Sequence, residues 1–159
     1  MGLLKRIRDY ADQDTLVTIY KALIQPHLDY GCVVWDGLDK CLVIKLQRLQ
    51  NRAARIITRS SWEIRSKDIL TSLNWETLEK RRLKLKKKFM FKILNGKAPK
   101  YMEDLFMRKE QRASVVLRND ENKLAVPFPR TDCLKKSISY SGAILWNSLP
   151  RSERNAIFF

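Results

Sequence analysis

Residues 74–96, NWETLEKRRLKLKKKFMFKILNG, decide how the chain is read, and their spacing predicts one long helix. Asn74 is a fair N-cap, and Glu76 and Glu79 sit in the first turns, where the helix dipole favours negative charge. Gly96 is placed to end the helix in a left-handed conformation, and Pro99 prevents a restart close by. At about 100° per residue, Trp75, Leu78, Leu85, Phe89 and Ile93 share one face. Lys80, Lys84, Lys87 and Lys88 share the far side. From Lys80 to Lys92 there are eight basic residues and no acidic one. The helix therefore has an apolar face to bury and a cationic flank suited to a polyanion.

Upstream, a second helix is expected over residues 40–58. Leu42, Leu46, Leu49, Ala53, Ile56 and Ile57 form its apolar stripe, and Lys45, Arg48, Arg52, Arg55 and Arg59 recur at helical spacing beside it. That row puts five cations along about 20 Å of helix. Four are arginines, whose planar guanidinium suits bidentate phosphate contact or stacking on bases. A charged stripe is by default a solvated face. Here no carboxylate follows Asp39 before Glu63, so the row has no local neutralising partner. Acting together on a single strand, the five would give a log–log salt slope of about −3.5. Lys80, Lys84, Lys87 and Lys88 are the secondary phosphate contacts.

Working outward, Leu3 to Tyr10 reads as a short basic helix, with Asp12 or Asp14 capping the next one. Leu16, Ile19, Tyr20, Leu23 and Ile24 give a helical stripe. Pro26 interrupts it at a cost of about 3 kcal/mol, yet Leu28, Cys32 and Trp35 keep the spacing. A kinked helix, or one that ends at Gln25 and restarts with Pro26 in its first turn, fits. Gly31 allows close approach of a neighbour, and Asp36-Gly37 marks a turn. Ser66 caps a short helix carrying Ile69, Leu70 and Leu73.

After Gly96 the texture changes. Residues 97–99 form a linker and Tyr101 to Phe106 a helical turn. Residues 107–122 read as a polar, basic loop around Val115-Val116-Leu117. Pro127 and Pro129 exclude regular helix, and Cys133 to Ser139 fits strand or turn. Ser139 to Leu149 reads as a last helix stopped by Pro150, and the tail from Arg151 frays. The expected fold is mainly α: an antiparallel, thumb-like helical bundle over residues 1–96, then a loop-rich segment over 97–159 with short helices and room for short strands.

A chain of 159 residues with 45% hydrophobic content is long enough for a real core. Its net charge of +15 draws phosphate-rich partners, nucleic acid before an anionic membrane surface. Cys32, Cys41 and Cys133 are scattered and His27 stands alone, so neither a zinc set nor a disulfide frame is expected. Buried or half-buried free thiols in a reducing compartment fit better, and nuclear or cytoplasmic rather than secreted residence follows. The basic cluster from Lys80 to Lys88 also resembles a nuclear-import signal. No apolar run reaches the length of a membrane span. Asp9, Asp12 and Asp14 read as helix caps, not metal ligands. There is no phosphate-binding Gly-rich loop, no nucleophile elbow and no paired carboxylate set. The expectation is therefore no catalytic residue, no metal and no cofactor. Trp35 and Trp75 lie on apolar stripes and belong to a core, and Trp62, between Arg59 and Arg65, is the better stacking candidate.

The order of several short motifs carries more. Ile19-Tyr20-Lys21-Ala22-Leu23-Ile24-Gln25-Pro26-His27-Leu28-Asp29-Tyr30-Gly31, followed by Trp35, resembles the segment after the catalytic palm in reverse transcriptases of non-long-terminal-repeat (LINE-type, jockey-like) retrotransposons. Leu46-Gln47-Arg48-Leu49-Gln50-Asn51-Arg52-Ala53-Ala54-Arg55-Ile56-Ile57-Thr58 is similar to that family's next helix. Leu73-Asn74-Trp75 with Arg81-Arg82, Asn95-Gly96-Lys97-Ala98-Pro99-Lys100-Tyr101, Pro127 with Pro129-Arg130-Thr131, and Trp146-Asn147-Ser148-Leu149-Pro150 follow in the same order. The resemblance implies the thumb and downstream region of such a polymerase, with the thumb holding RNA or an RNA–DNA hybrid by its backbone. It further implies that the palm, with its paired metal-binding aspartates, lies upstream of Met1 as a partner. Polymerase activity is not carried over to these residues. The alternatives are a helical module for acidic protein or membrane partners, a hidden enzyme that borrows carboxylates from a partner chain, and a relic of a dead element.

Overall fold

A computed structural model describes residues 1–109 and 122–155. The expected Val115-Val116-Leu117 run and the end of the tail lie outside the described residues. The described residues are mainly helical, and their only extended pairing is a single antiparallel bridge between Arg108 and Leu124. The chain groups into two compact units, Met1–Leu83 and Lys84–Phe159.

The first unit holds α1 (Gly2–Ile7), α2 (Gln13–Ile19), α3 (Gln25–Asp29), α4 (Lys40–Thr58) and α5 (Ser66–Ser72). A π-helical turn, Tyr20–Ile24, joins α2 to α3 without a break, and the Gln25 N–H donates to the Tyr20 carbonyl. This wider turn takes the chain into Pro26, which sits in the first turn of α3 and needs no donor there. Gly31, at φ 60°, supplies the left-handed residue after α3. Leu4, Leu16, Tyr20, Ala53 and Ile57 are buried together, with Ala54, Ile69 and Leu70 beside them. Trp75 stacks on Tyr20 with ring centroids 4.2 Å apart.

The buried face of α4 differs from the expected stripe. Gln50, Ala53, Ala54 and Ile57 are buried, whereas Leu42 and Leu49 are exposed. The two alanines let α5, α1 and α2 pack closely, and Gln50 takes a core position because its amide donates to the Glu76 carbonyl at 2.9 Å.

Asn74 is a correction. It is not an N-cap but the left-handed residue that ends α5, at φ 53°. The following Trp75 N–H donates to the Leu70 carbonyl at 2.8 Å, a helix-terminating bond. The long helix α6 therefore begins at Leu78 and runs to Leu94. The Thr77 hydroxyl accepts from the Lys80 N–H at 3.4 Å, and Gly96, at φ 67°, ends the helix as expected. Its buried residues are Leu78, Arg82, Lys86, Met90 and Ile93, while Leu85 and Phe89 are half-buried.

The second unit contains the C-terminal part of α6, then α7 (Lys100–Glu103), α8 (Asp132–Lys136), α9 (Ile138–Ser148) and α10 (Arg151–Asn155). Within Cys133 to Ser139, the stretch expected as strand or turn, the chain is helical as far as Lys136, because Thr131 caps Asp132–Lys136, its hydroxyl accepting from the Leu134 N–H. Met90, Ile93, Phe106, Leu124, Ala143, Trp146 and Leu149 form the core. Gly142 lies against Met90: a Cβ there would sit 2.6 Å from its sulfur. Cys32 is buried, but Cys41 and Cys133 are exposed free thiols, where all three were expected to be buried or half-buried.

Tyr20 gives a pH-dependent test of the first core. It is 1% exposed, and burial pushes its phenol up to about 12, with Arg81 opposing, Asp29 adding and the nearby Gln50 amide opposing weakly. The folded-state value lies above the unfolded one, so the contribution is complete below pH 10 and is lost as pH rises through about 12. The loss is of the order of 2–3 kcal/mol. Ultraviolet titration should show Tyr20 ionising only as the fold fails. Ionisation of all tyrosines together while the helices persist would show that Tyr20 is not sealed.

Candidate nucleic-acid interface

The expected basic row on α4 divides in two. Lys45, Arg48 and Arg52 are exposed on the side away from the buried face, with no ion pair to a described carboxylate. Arg55 is turned back into the protein: its Nη1 donates to the Ser61 carbonyl at 2.6 Å, and its Nη2 to the Ile64 carbonyl at 2.7 Å and the Ser66 hydroxyl at 3.1 Å. Its guanidinium also lies 5.2 Å from the centre of the exposed Trp62 ring, occupying the ring proposed for stacking. Arg59 ends α4 in a left-handed conformation, and its Nη2 donates to the Arg8 carbonyl at 2.8 Å. Both arginines satisfy loop carbonyls that helices leave open, which is structural use of a charged side chain.

The start of α6 is fixed by α4 through residues that sequence reading passed over. The Gln47 Oε1 accepts from the Leu78 N–H at 3.0 Å, and its Nε2 donates to Gln50 at 2.7 Å and Asn51 at 2.9 Å. A glutamine on α4 thus satisfies an otherwise open donor at the N-terminus of α6. The sequence signal was a polar Gln-x-x-Gln-Asn patch lying on what becomes the inward face.

Along α6 the cations also divide by direction. Arg81 forms a bidentate pair with Asp29, both contacts 2.7 Å, and that partner raises the guanidinium's affinity for its proton. Arg82 is buried 3.7 Å from Asp36, with its guanidinium carbon 5.5 Å from the centre of the Trp35 ring. Lys86 is buried and donates to the Ser141 hydroxyl at 2.9 Å. Lys80, Lys84 and Lys88 are exposed, and half-buried Lys87 meets Glu153 at 3.4 Å.

Within the second unit, Lys84, Lys87 and Lys88 line one cleft of about 700 Å³ together with Lys92 and Lys97. Phe91, Trp146 and Leu149 supply its apolar lining, and Glu153 supplies an acidic group. Positions 84, 87, 88, 91 and 92 follow the three- and four-residue spacing of one helix face. Lys92 and Lys97 were missed in the sequence because the opposing wall, from α9 and α10, is remote in the chain. Among the described residues, no group of three or more histidines, cysteines and carboxylates is placed to hold a metal ion. None of the described helices is long and apolar enough to cross a membrane.

A probable RNA-directed DNA polymerase from the transposon X-element of Drosophila melanogaster is 30% identical over 103 residues, which is 65% of this chain and 10% of that relative. The chain carries a region related to non-LTR retrotransposon reverse transcriptases. This reverse-transcriptase-related chain thus spans about a tenth of the length of the curated relative it matches. No protein-family model matches it, and no solved structure does.

Proposed function

We propose that this reverse-transcriptase-related chain is a non-catalytic nucleic-acid-binding piece that grips RNA or an RNA–DNA hybrid by its phosphate backbone. The observation that supports the reading best is the exposed α4 row, Lys45, Arg48 and Arg52, which makes no ion pair to a described carboxylate. Lys80, Lys84, Lys87 and Lys88 on α6 add a second cationic face. Arg55 and Arg59 support the first face by holding its flanking loops. The exposed Leu42, Ile44 and Leu49 on α4 offer apolar area for a polymerase palm, the partner that would bring the paired aspartates. Alone, the chain should extend no primer in the presence of magnesium.

Binding to single-stranded RNA should weaken steeply with salt. Changing Lys45, Arg48 and Arg52 together to glutamine should flatten the log–log slope by about 2, since each phosphate contact on a single strand contributes about 0.7. Arg55→Gln should instead lower the stability of the first unit and leave the slope of the folded protein close to that of the parent. A parent slope near zero, or an acidic peptide displacing RNA at equal charge, would refute the backbone-binding reading.

A further inference from the structure

Resting on that reading, we propose that the lysine-lined cleft of the second unit takes an unpaired stretch of nucleic acid, its phosphates on the lysines and a base against Phe91. The apolar part of the lining carries the argument. A surface that holds only backbone needs charge, and apolar area beside the charge gains nothing from a duplex whose bases are stacked inward. Here Phe91, Trp146 and Leu149 line the same cleft as Lys84, Lys88, Lys92 and Lys97. The volume, about 700 Å³, is that of a site for a small group rather than a double helix.

Lys84, Lys88 and Lys92 follow one another at four-residue steps, so their roots stand about 6 Å apart along α6. That regular repeat suits the regular charge of a phosphodiester strand. Lysine, a mobile point charge, asks for no particular base, and an aromatic face accepts any base. Glu153 opposes such an occupant, since its carboxylate meets Lys87 at 3.4 Å in the same cleft.

The test uses the full chain and two RNA-length oligomers of equal charge, one with bases and one abasic, titrated at salt high enough to weaken the purely electrostatic component. The base-bearing strand is expected to bind about fivefold tighter or more, the range for stacking one base on an aromatic side chain. Glu153→Gln should tighten it about twofold or more by removing a nearby like charge. Lys88→Gln with Lys92→Gln should weaken it. Photo-crosslinks from a halogenated uridine should map to Phe91 or its neighbours. Equal affinity for the two oligomers, or full sensitivity to Lys45, Arg48 and Arg52 with none to Lys88, Lys92 and Glu153, overturns the cleft while leaving backbone binding in place. Preferential binding of an acidic peptide to the cleft also overturns it. Failure of every strand to bind at low salt removes both this inference and the function on which it rests.

Discussion

Trp146→Ala is expected to destabilise the second unit by about 3–5 kcal/mol, the range for deleting a buried aromatic side chain. That is comparable with the whole stability of a small domain. Trp146 is 4% exposed, lies in the core with Met90 and Ile93, and packs on Phe91 with ring centroids 6.0 Å apart. Its Nε1 donates to the Asn122 carbonyl at 2.8 Å. The next residue repeats the device: Asn147 donates to the Leu124 carbonyl and accepts from the Leu124 N–H, both at 2.9 Å. One turn of α9 therefore pairs with the chain at residues 122–124 as a strand would. Trp146→Phe should cost less than the alanine variant, because it keeps much of the ring volume and loses the hydrogen bond. Urea unfolding followed by circular dichroism gives both values. An alanine variant that unfolds at the parent midpoint would show that this ring does not hold the core.

The second large effect is an asymmetry at Arg82. Asp36→Ala is expected to destabilise the first unit by about 3 kcal/mol, because it leaves a buried cation without its carboxylate. Arg82→Met is expected to be neutral or stabilising, since a methionine of similar length fills the site without a charge to desolvate. Arg82 is 5% exposed, and its Nε and Nη1 are buried without a hydrogen-bond partner. Asp36 at 3.7 Å and the Trp35 ring are what offset that burial. The pair of variants is measured by thermal unfolding at neutral pH. If Arg82→Met proves as damaging as Asp36→Ala, the guanidinium contributes more than its desolvation costs, and the site is a net stabilising ion pair.

Both variants bear on function through what they leave alone. Arg82 is inside and lines no proposed binding surface, so its loss should change binding only as far as folding fails. Lys45, Arg48 and Arg52 are outside, so their loss should change binding with little change in stability. The two sets of measurements separate the roles of cations that look alike in the sequence.

Helix positions were legible because they depend on neighbours in the chain. The spacing of apolar residues placed α4 at Lys40–Thr58, as expected, and Gly96 ended α6. Asn74 was misread because an N-cap and a left-handed helix end favour the same residue type. The bond that decides between them, from Trp75 to Leu70, points backward to α5. The helix at residues 132–136 was missed because a cap as short as Thr131 is outweighed by the prolines before it.

By itself the sequence determined the helical class, the large positive charge and the rows of cations at helical spacing. These follow from local periodicity and composition, which need no knowledge of where the chain returns. Only the tertiary structure decided which cations face water. Arg55 and Arg59 turn to loop carbonyls, Arg81 to Asp29 and Lys86 to Ser141, partners separated by 6 to 55 residues in the chain. A charge is free or spent according to what stands within about 4 Å of it, and for most of these side chains that neighbour comes from a distant part of the chain.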